Sequence, residues 1–221
     1  MRIHLGSGTA AEVALPAGGD ALRGLVIATD AMGLRPLFDD LVARLASEQG
    51  WAVSAVEPFP GRENLSLEQR QAARLDASRL TADLLLAADD LGDRASGTAR
   101  VAVMGFCMGG MSAYRAAGSG RFDRAVSFYG MIRPPEPWSV AGDDPLDALA
   151  RPQCCPVLAV CGGRDHFTPA ADIEALRAAG GHVNVRLYPE AEHGFVHDPA
   201  RPAHRPDDAA DAWRWAIEFL A

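Results

Sequence analysis

The stretch Val101-Ala-Val-Met-Gly-Phe-Cys-Met-Gly-Gly110 constrains this chain more than any other, because it joins an apolar run to a helix start through a turn with one thiol at its apex. Val101 to Met104 reads as a short strand covered on both faces, and residues 111–117 continue as a helix. Gly105 and Gly109 stand two before and two after Cys107. That is the spacing of a nucleophile elbow, in which the apical residue takes a strained backbone and projects above the sheet. At a helix N-terminus the free N–H groups and the dipole favour an anion, whether a thiolate or an oxyanion forming beside it. Taken alone, the turn fits a buried, inert cysteine equally well, since free cysteine is among the most buried residue types. The rest of the chain decides between them.

A strand covered on both faces belongs to a parallel sheet, and the remaining sequence alternates as such a sheet requires. Residues 1–20 read as one or two short edge strands with a turn at Pro16-Ala-Gly-Gly19. Residues 22–28 and 51–56 read as strands around a helix over 35–49. Ser66 and Gln69 have capping-box spacing and open a long helix to Gly92, with Leu80, Leu84 and Leu91 on its apolar face. Residues 124–129, 156–161 and 183–188 read as further strands. Thr168-Pro169 marks a cap and first helical position, and residues 207–220 form the closing helix. The expected fold class is α/β, one domain over residues 1–221 with a mostly parallel, doubly covered sheet.

The 221 residues are 48% hydrophobic, enough to cover such a sheet on both faces. Twenty-one basic against twenty-nine acidic residues give a formal charge of −8, which argues against nucleic acid or an anionic membrane as partner. No apolar run approaches a membrane span and no leader-like segment opens the chain, so a cytoplasmic protein is expected. Cys107, Cys154, Cys155 and Cys161 fit the thiols of a reducing compartment. Cys154 and Cys155 are adjacent, without the two-residue gap that lets paired cysteines chelate zinc, so no metal is expected. His166, His193 and His197 do not change this, because Gly194 and Pro199 oppose a helix presenting two imidazoles together.

In open parallel sheets, sites form at the loops beyond the carboxyl ends of the strands. Three such loops carry Cys107, Asp165 (in Gly-Gly-Arg-Asp-His-Phe-Thr-Pro, 162–169) and His193 (in Glu-His-Gly-Phe, 192–195). Nucleophile, acid, histidine is the chain order of α/β-hydrolases. In that reading His193 takes the thiol proton and later activates water, while Asp165 fixes the imidazole tautomer. Each has a plainer alternative, a turn aspartate and a surface histidine, which the joint placement outweighs.

These three motifs resemble those of the dienelactone hydrolase family of α/β-hydrolases, and the resemblance runs nearly the full length of the chain. It implies a Cys107, Asp165, His193 triad, an oxyanion hole from the backbone N–H groups of Met108 and Ala31, and no cofactor. It also implies a pocket lined by Phe167 and Tyr129, and the proline-rich loop carrying Trp138 is expected to wall it. Two positions depart from the family. Asp30 stands where dienelactone-cleaving members place a glutamate that helps activate the thiol. His197 stands where they place one of the arginines that hold the substrate carboxylate, and among Arg62, Arg70, Arg74 and Arg79 the match for a second is too loose to choose. The expectation is a cysteine-dependent hydrolase of small esters or lactones, neutral ones preferred because His197 replaces an arginine. A dienelactone hydrolase proper, acting on a carboxylated enol lactone, is the alternative within the enzyme class. A thiol redox or ligand-binding protein on the same scaffold is the alternative outside it. The oligomeric state stays open.

Overall fold

Five apolar runs are buried along their whole length, and each becomes an inner strand: β3 (Gly24–Ala28), β4 (Ala52–Val56), β5 (Val101–Phe106), β6 (Ala125–Phe128) and β7 (Val157–Gly162). With β1 (Arg2–His4), β2 (Ala10–Ala14) and β8 (Val183–Tyr188) they form one eight-stranded sheet in the order β1-β2-β4-β3-β5-β6-β7-β8. Only β1 and β2 run antiparallel to their neighbours. The structure, a computed structural model, describes residues 1–139 and 144–221.

Helices cover both faces. On one, α1 (Pro36–Gln49) and α7 (Pro206–Leu220) pack Phe38, Leu41, Leu45 and Leu220 against Leu25, Ile27, Met104 and Phe128. On the other, α3 (Ala77–Arg94), α4 (Met108–Ala117) and α6 (Ala170–Ala178) pack against Val26, Val103 and Val157. Ala28, Gly105, Ser127 and Ala159 pair across β3, β5, β6 and β7 in one row. The loops leaving those strands therefore start at the same level, and the site is built there.

The long helix expected from Ser66 to Gly92 is two helices. The Ser66/Gln69 capping box starts α2 (Leu67–Ala72), but Ala73 is extended and Asp76 caps α3 afresh by accepting the Arg79 N–H. Tertiary partners stabilise the break: the Leu75 N–H is donated to the Pro137 carbonyl, and Leu75 is buried. Pro169, not Thr168, caps α6, and the Thr168 hydroxyl is buried without a hydrogen-bond partner among the described residues. A short helix α5 (Pro145–Leu149), begun by Asp144 accepting from the Leu146 N–H, was not foreseen and packs beside α4.

Candidate active site

The turn from β5 into α4 places Cys107 at φ 57°, ψ −117°, a backbone conformation that an L-residue adopts only under constraint. The constraint comes from two close backbone approaches. A Cβ on Gly105 would lie 2.0 Å from the Gly109 carbonyl oxygen, and one on Gly109 would lie 2.0 Å from that of Ala28. Only hydrogen fits at either place, so α4 starts tight against β3 and β5 with the half-buried Cys107 at its N-terminus.

Asp165, in the turn after β7, and His193, in the loop after β8, meet beside this thiol. His193 Nδ1 lies 2.8 Å from Asp165 Oδ2, while Asp165 Oδ1 accepts the Phe167 N–H at 2.8 Å. The carboxylate only accepts, so Nδ1 carries a proton and Nε2 is the position left to exchange one with the thiol. Nε2 is buried and makes no hydrogen bond among the described residues. Burial acts to lower the His193 pKa, but the hydrogen bond to Asp165 and the adjacent Cys107 sulfur outweigh it and push it up to about 9.

A cavity of about 630 Å³ opens over these groups, lined among others by Cys107, His193, Ala31, Trp138 and Phe167. Phe167 is 41% exposed at its mouth and packs edge-on against the His193 ring. Met108 is fully buried as the first residue of α4, and Ala31 lies in the loop after β3. Neither backbone N–H is donated to an acceptor among the described residues. Ala31 thus shares the cavity wall with Cys107, and Met108 follows Cys107 in the chain.

Tyr129 and His197, both expected in the pocket wall, lie behind it. Tyr129 is fully buried, edge-on to the His193 ring, and its hydroxyl is hydrogen-bonded to His197 Nδ1. His197 Nε2 is 2.9 Å from Asp30 Oδ2, and its ring is stacked on Phe106. With both nitrogens used internally, His197 has no group to offer a substrate. Burial lowers its pKa, and Asp30 opposes this only in part. Asp30 does line the cavity, but its oxygens are engaged by both Arg35 guanidinium nitrogens at 2.7 and 2.8 Å, by His197, and by the Met32 N–H at 3.0 Å. Burial alone would raise its pKa. The His197 and Arg35 hydrogen bonds hold it well below the usual carboxylate range.

None of the arginines over 62–79 lines the cavity. Arg70 is buried, pairs with Glu57 at 2.9 Å and reaches the Ala31 carbonyl at 3.4 Å. Arg62 lies over the Phe59 ring and donates to the Arg74 carbonyl, Arg74 itself is exposed, and Arg79 turns to Thr9 and Asp83. The arginines that do line the cavity are Arg35 and Arg201. Arg201 has no carboxylate partner among the described residues and packs its guanidinium over Gly194. Sequence reading missed both, along with Glu57, which binds the Leu34 and Phe59 N–H groups and holds the loop after β3. Their charges lie in loops and read as solvated there, and the one available signal for Arg201 was its place in the loop that also carries His193.

The model of the dienelactone hydrolase family matches residues 9–221. A Yersinia pestis protein provisionally called a carboxymethylenebutenolidase is 28% identical over 215 residues, covering 89% of this chain and 76% of the relative. A carboxymethylenebutenolidase of Rhodococcus opacus is 29% identical over 208 residues, covering 89% and 79%. A crystal structure from Klebsiella pneumoniae, provisionally called a dienelactone hydrolase, superposes with TM-score 0.86 over 100% of this chain and 97% of that one. At 23% identity that last likeness speaks to the fold.

Proposed function

The chain belongs to the dienelactone hydrolase family, and we propose that it hydrolyses small esters or lactones by acyl transfer through Cys107. The carrying observation is the His193 imidazole, held through Nδ1 by Asp165 and presenting a buried Nε2 beside a thiol on a strained elbow. Cys107 Sγ adds to the substrate carbonyl carbon with its proton held on His193 Nε2, where the raised pKa of the imidazole keeps it. The oxyanion so formed is held by the Ala31 and Met108 N–H groups. Collapse breaks the carbon–oxygen bond to the leaving alkoxide, which takes the proton from His193 and leaves an acyl-thioester. Water, deprotonated by His193, then attacks the thioester and releases the acid and the free thiol. Asp165 keeps the imidazole in the tautomer both halves need. Phe167 and Trp138 give the acyl or alkyl part an apolar wall.

Turnover of p-nitrophenyl acetate, with one acyl group trapped on Cys107 by mass spectrometry, tests this reading. Cys107→Ala is expected to abolish both, whereas a thiol redox or ligand-binding protein would show neither. The substrate's charge is a separate matter. His197 lies outside the cavity, so the preference for neutral substrates drawn from it loses its premise. Arg201 on the cavity wall, without a carboxylate partner among the described residues, favours a second reading, a lactone or ester that carries a carboxylate.

A further inference from the structure

The loop from Thr29 to Arg35 carries one of the two free N–H groups, and an N–H stabilises an oxyanion only if it points to where the charge develops. What sets the direction of the Ala31 amide is therefore part of the chemistry. Two buried assemblies grip this loop from opposite sides. On one side, the Glu57 carboxylate binds the Leu34 N–H, and its partner Arg70 reaches the Ala31 carbonyl. On the other, Asp30 folds back onto the Met32 N–H, closing a turn with Ala31 inside it, and a second turn closes between the Gly33 N–H and the Asp30 carbonyl.

Asp30 is itself held by a chain reaching across the site. Arg35 grips it from within the loop, and His197 grips it from the loop that also carries His193. His197 is oriented in turn by the Tyr129 hydroxyl, at the end of β6. The donors and acceptors close in one arrangement. Asp30 only accepts, so His197 Nε2 carries the proton; Nδ1 is then an acceptor, and Tyr129 donates to it. Tyr129 is fixed by its own backbone, with φ at 42° and its N–H donated to the Val160 carbonyl at 2.7 Å. Every group in this chain except part of Arg35 is shielded from water, so the geometry is rigid and each missing partner is costly.

We propose that Tyr129 and His197 are positioning residues for the oxyanion hole, acting through Asp30 to aim the Ala31 N–H, and that Asp30 serves as this anchor rather than as an activator of the thiol. All of its hydrogen-bonding partners are elsewhere: Arg35, His197 and the Met32 amide engage both oxygens, and none is Cys107. The inference rests on the acyl-transfer reading above.

The test uses Tyr129→Phe and His197→Phe, which delete hydrogen bonds while keeping an aromatic ring in place, and His197→Gln, which keeps a donor toward Asp30. His197→Phe is expected to lower kcat about 10–100-fold, short of the loss from deleting an oxyanion donor outright. KM stays near the wild-type value, since neither side chain lines the cavity. Tyr129→Phe loses less, His197→Gln recovers part of the loss, and the double Phe variant is no worse than His197→Phe, as members of one chain require. The decisive readout is a trifluoromethyl ketone, whose carbonyl adds the Cys107 thiol reversibly and places an oxyanion at the two amides. Its inhibition constant should rise by the factor by which kcat/KM falls, while the rate of Cys107 alkylation by iodoacetamide, which forms no oxyanion, stays at the wild-type value. Wild-type turnover and ketone affinity in Tyr129→Phe and His197→Phe would overturn the inference. So would alkylation falling in step with turnover, because the residues would then act on the thiol itself. If His197→Phe does not fold, Tyr129→Phe decides alone on the same two readouts. Failure of the underlying reading looks different: Cys107→Ala would keep its turnover, and wild type would form no ketone adduct.

Discussion

Four cysteines share this chain, and burial separates their chemistry. It pushes the Cys155 and Cys161 thiols up to about 12 and raises that of Cys154, whereas Cys107 lies on the cavity wall beside a histidine. Iodoacetamide at pH 7.5 should label Cys107 first, with activity lost one-to-one; peptide mapping that finds Cys154 labelled first with activity intact would remove Cys107 as nucleophile. His193 carries a second expectation. Its pKa is about 9 folded against an ordinary 6.5, so the folded state binds its proton more tightly. The resulting stabilisation is fully present below pH 6.5 and is lost as pH rises through 9. Melting temperatures followed over that window should fall more steeply for wild type than for His193→Gln, and Cys107→Ala should flatten the slope in part, because the sulfur is one cause of the shift. On the reading in which the substrate carries a carboxylate, Arg201→Gln should lower kcat/KM for a carboxylated lactone by about 10–100-fold relative to a neutral one, the worth of one charge-assisted contact. Equal losses on both substrates would place the anion elsewhere. That Cys107, Asp165 and His193 come together was legible in the sequence, because each lies in a loop at the end of an apolar run and has glycine close to it. Arg35, Arg201 and Glu57 were not, since a charged loop residue reads as solvated until its partner is known.

At the level of elements, the loop after β3 is held from outside by the buried Glu57–Arg70 pair. Glu57→Gln would leave Arg70 buried without its carboxylate, and losing one partner of such a pair costs about 3–5 kcal/mol. Urea unfolding should show that loss, and a midpoint unmoved from wild type would mean that Arg70 finds another partner. Gly109→Ala is the matching test for the elbow, because its Cβ would collide with the Ala28 carbonyl and force α4 away from β3. Overpacking of this kind costs about 1–3 kcal/mol, and it should abolish turnover even where the variant folds. The capping box at Ser66 was readable because it is local. The break at 73–76 was not, because the Leu75 amide finds its acceptor on Pro137, far along the chain. The same holds for His197: its position counted from His193 was plain, but the direction of its ring is set by Phe106, Tyr129 and Asp30.

Over the whole molecule, alternation of strand and helix was enough to foresee a mostly parallel sheet covered on both faces. The strand order was not foreseeable in the same way, for β3 is inserted between β4 and β5 by packing rather than by any local signal. Both apolar layers share that one sheet, so residues 1–221 are expected to unfold as one unit, with tryptophan fluorescence and far-ultraviolet circular dichroism giving coincident urea transitions. Separated transitions would mean that part of the chain folds independently. Among the described residues no helix is long and apolar enough to cross a membrane. The chain order of the site also has a meaning in time. Synthesis delivers the elbow first, the loop with Asp165 later, and the loop with His193 only near the end. On the acyl-transfer reading proposed above, a polypeptide still on the ribosome carries the thiol before the imidazole and carboxylate exist to work with it, and turnover is expected only after the loop beyond the last strand has been made.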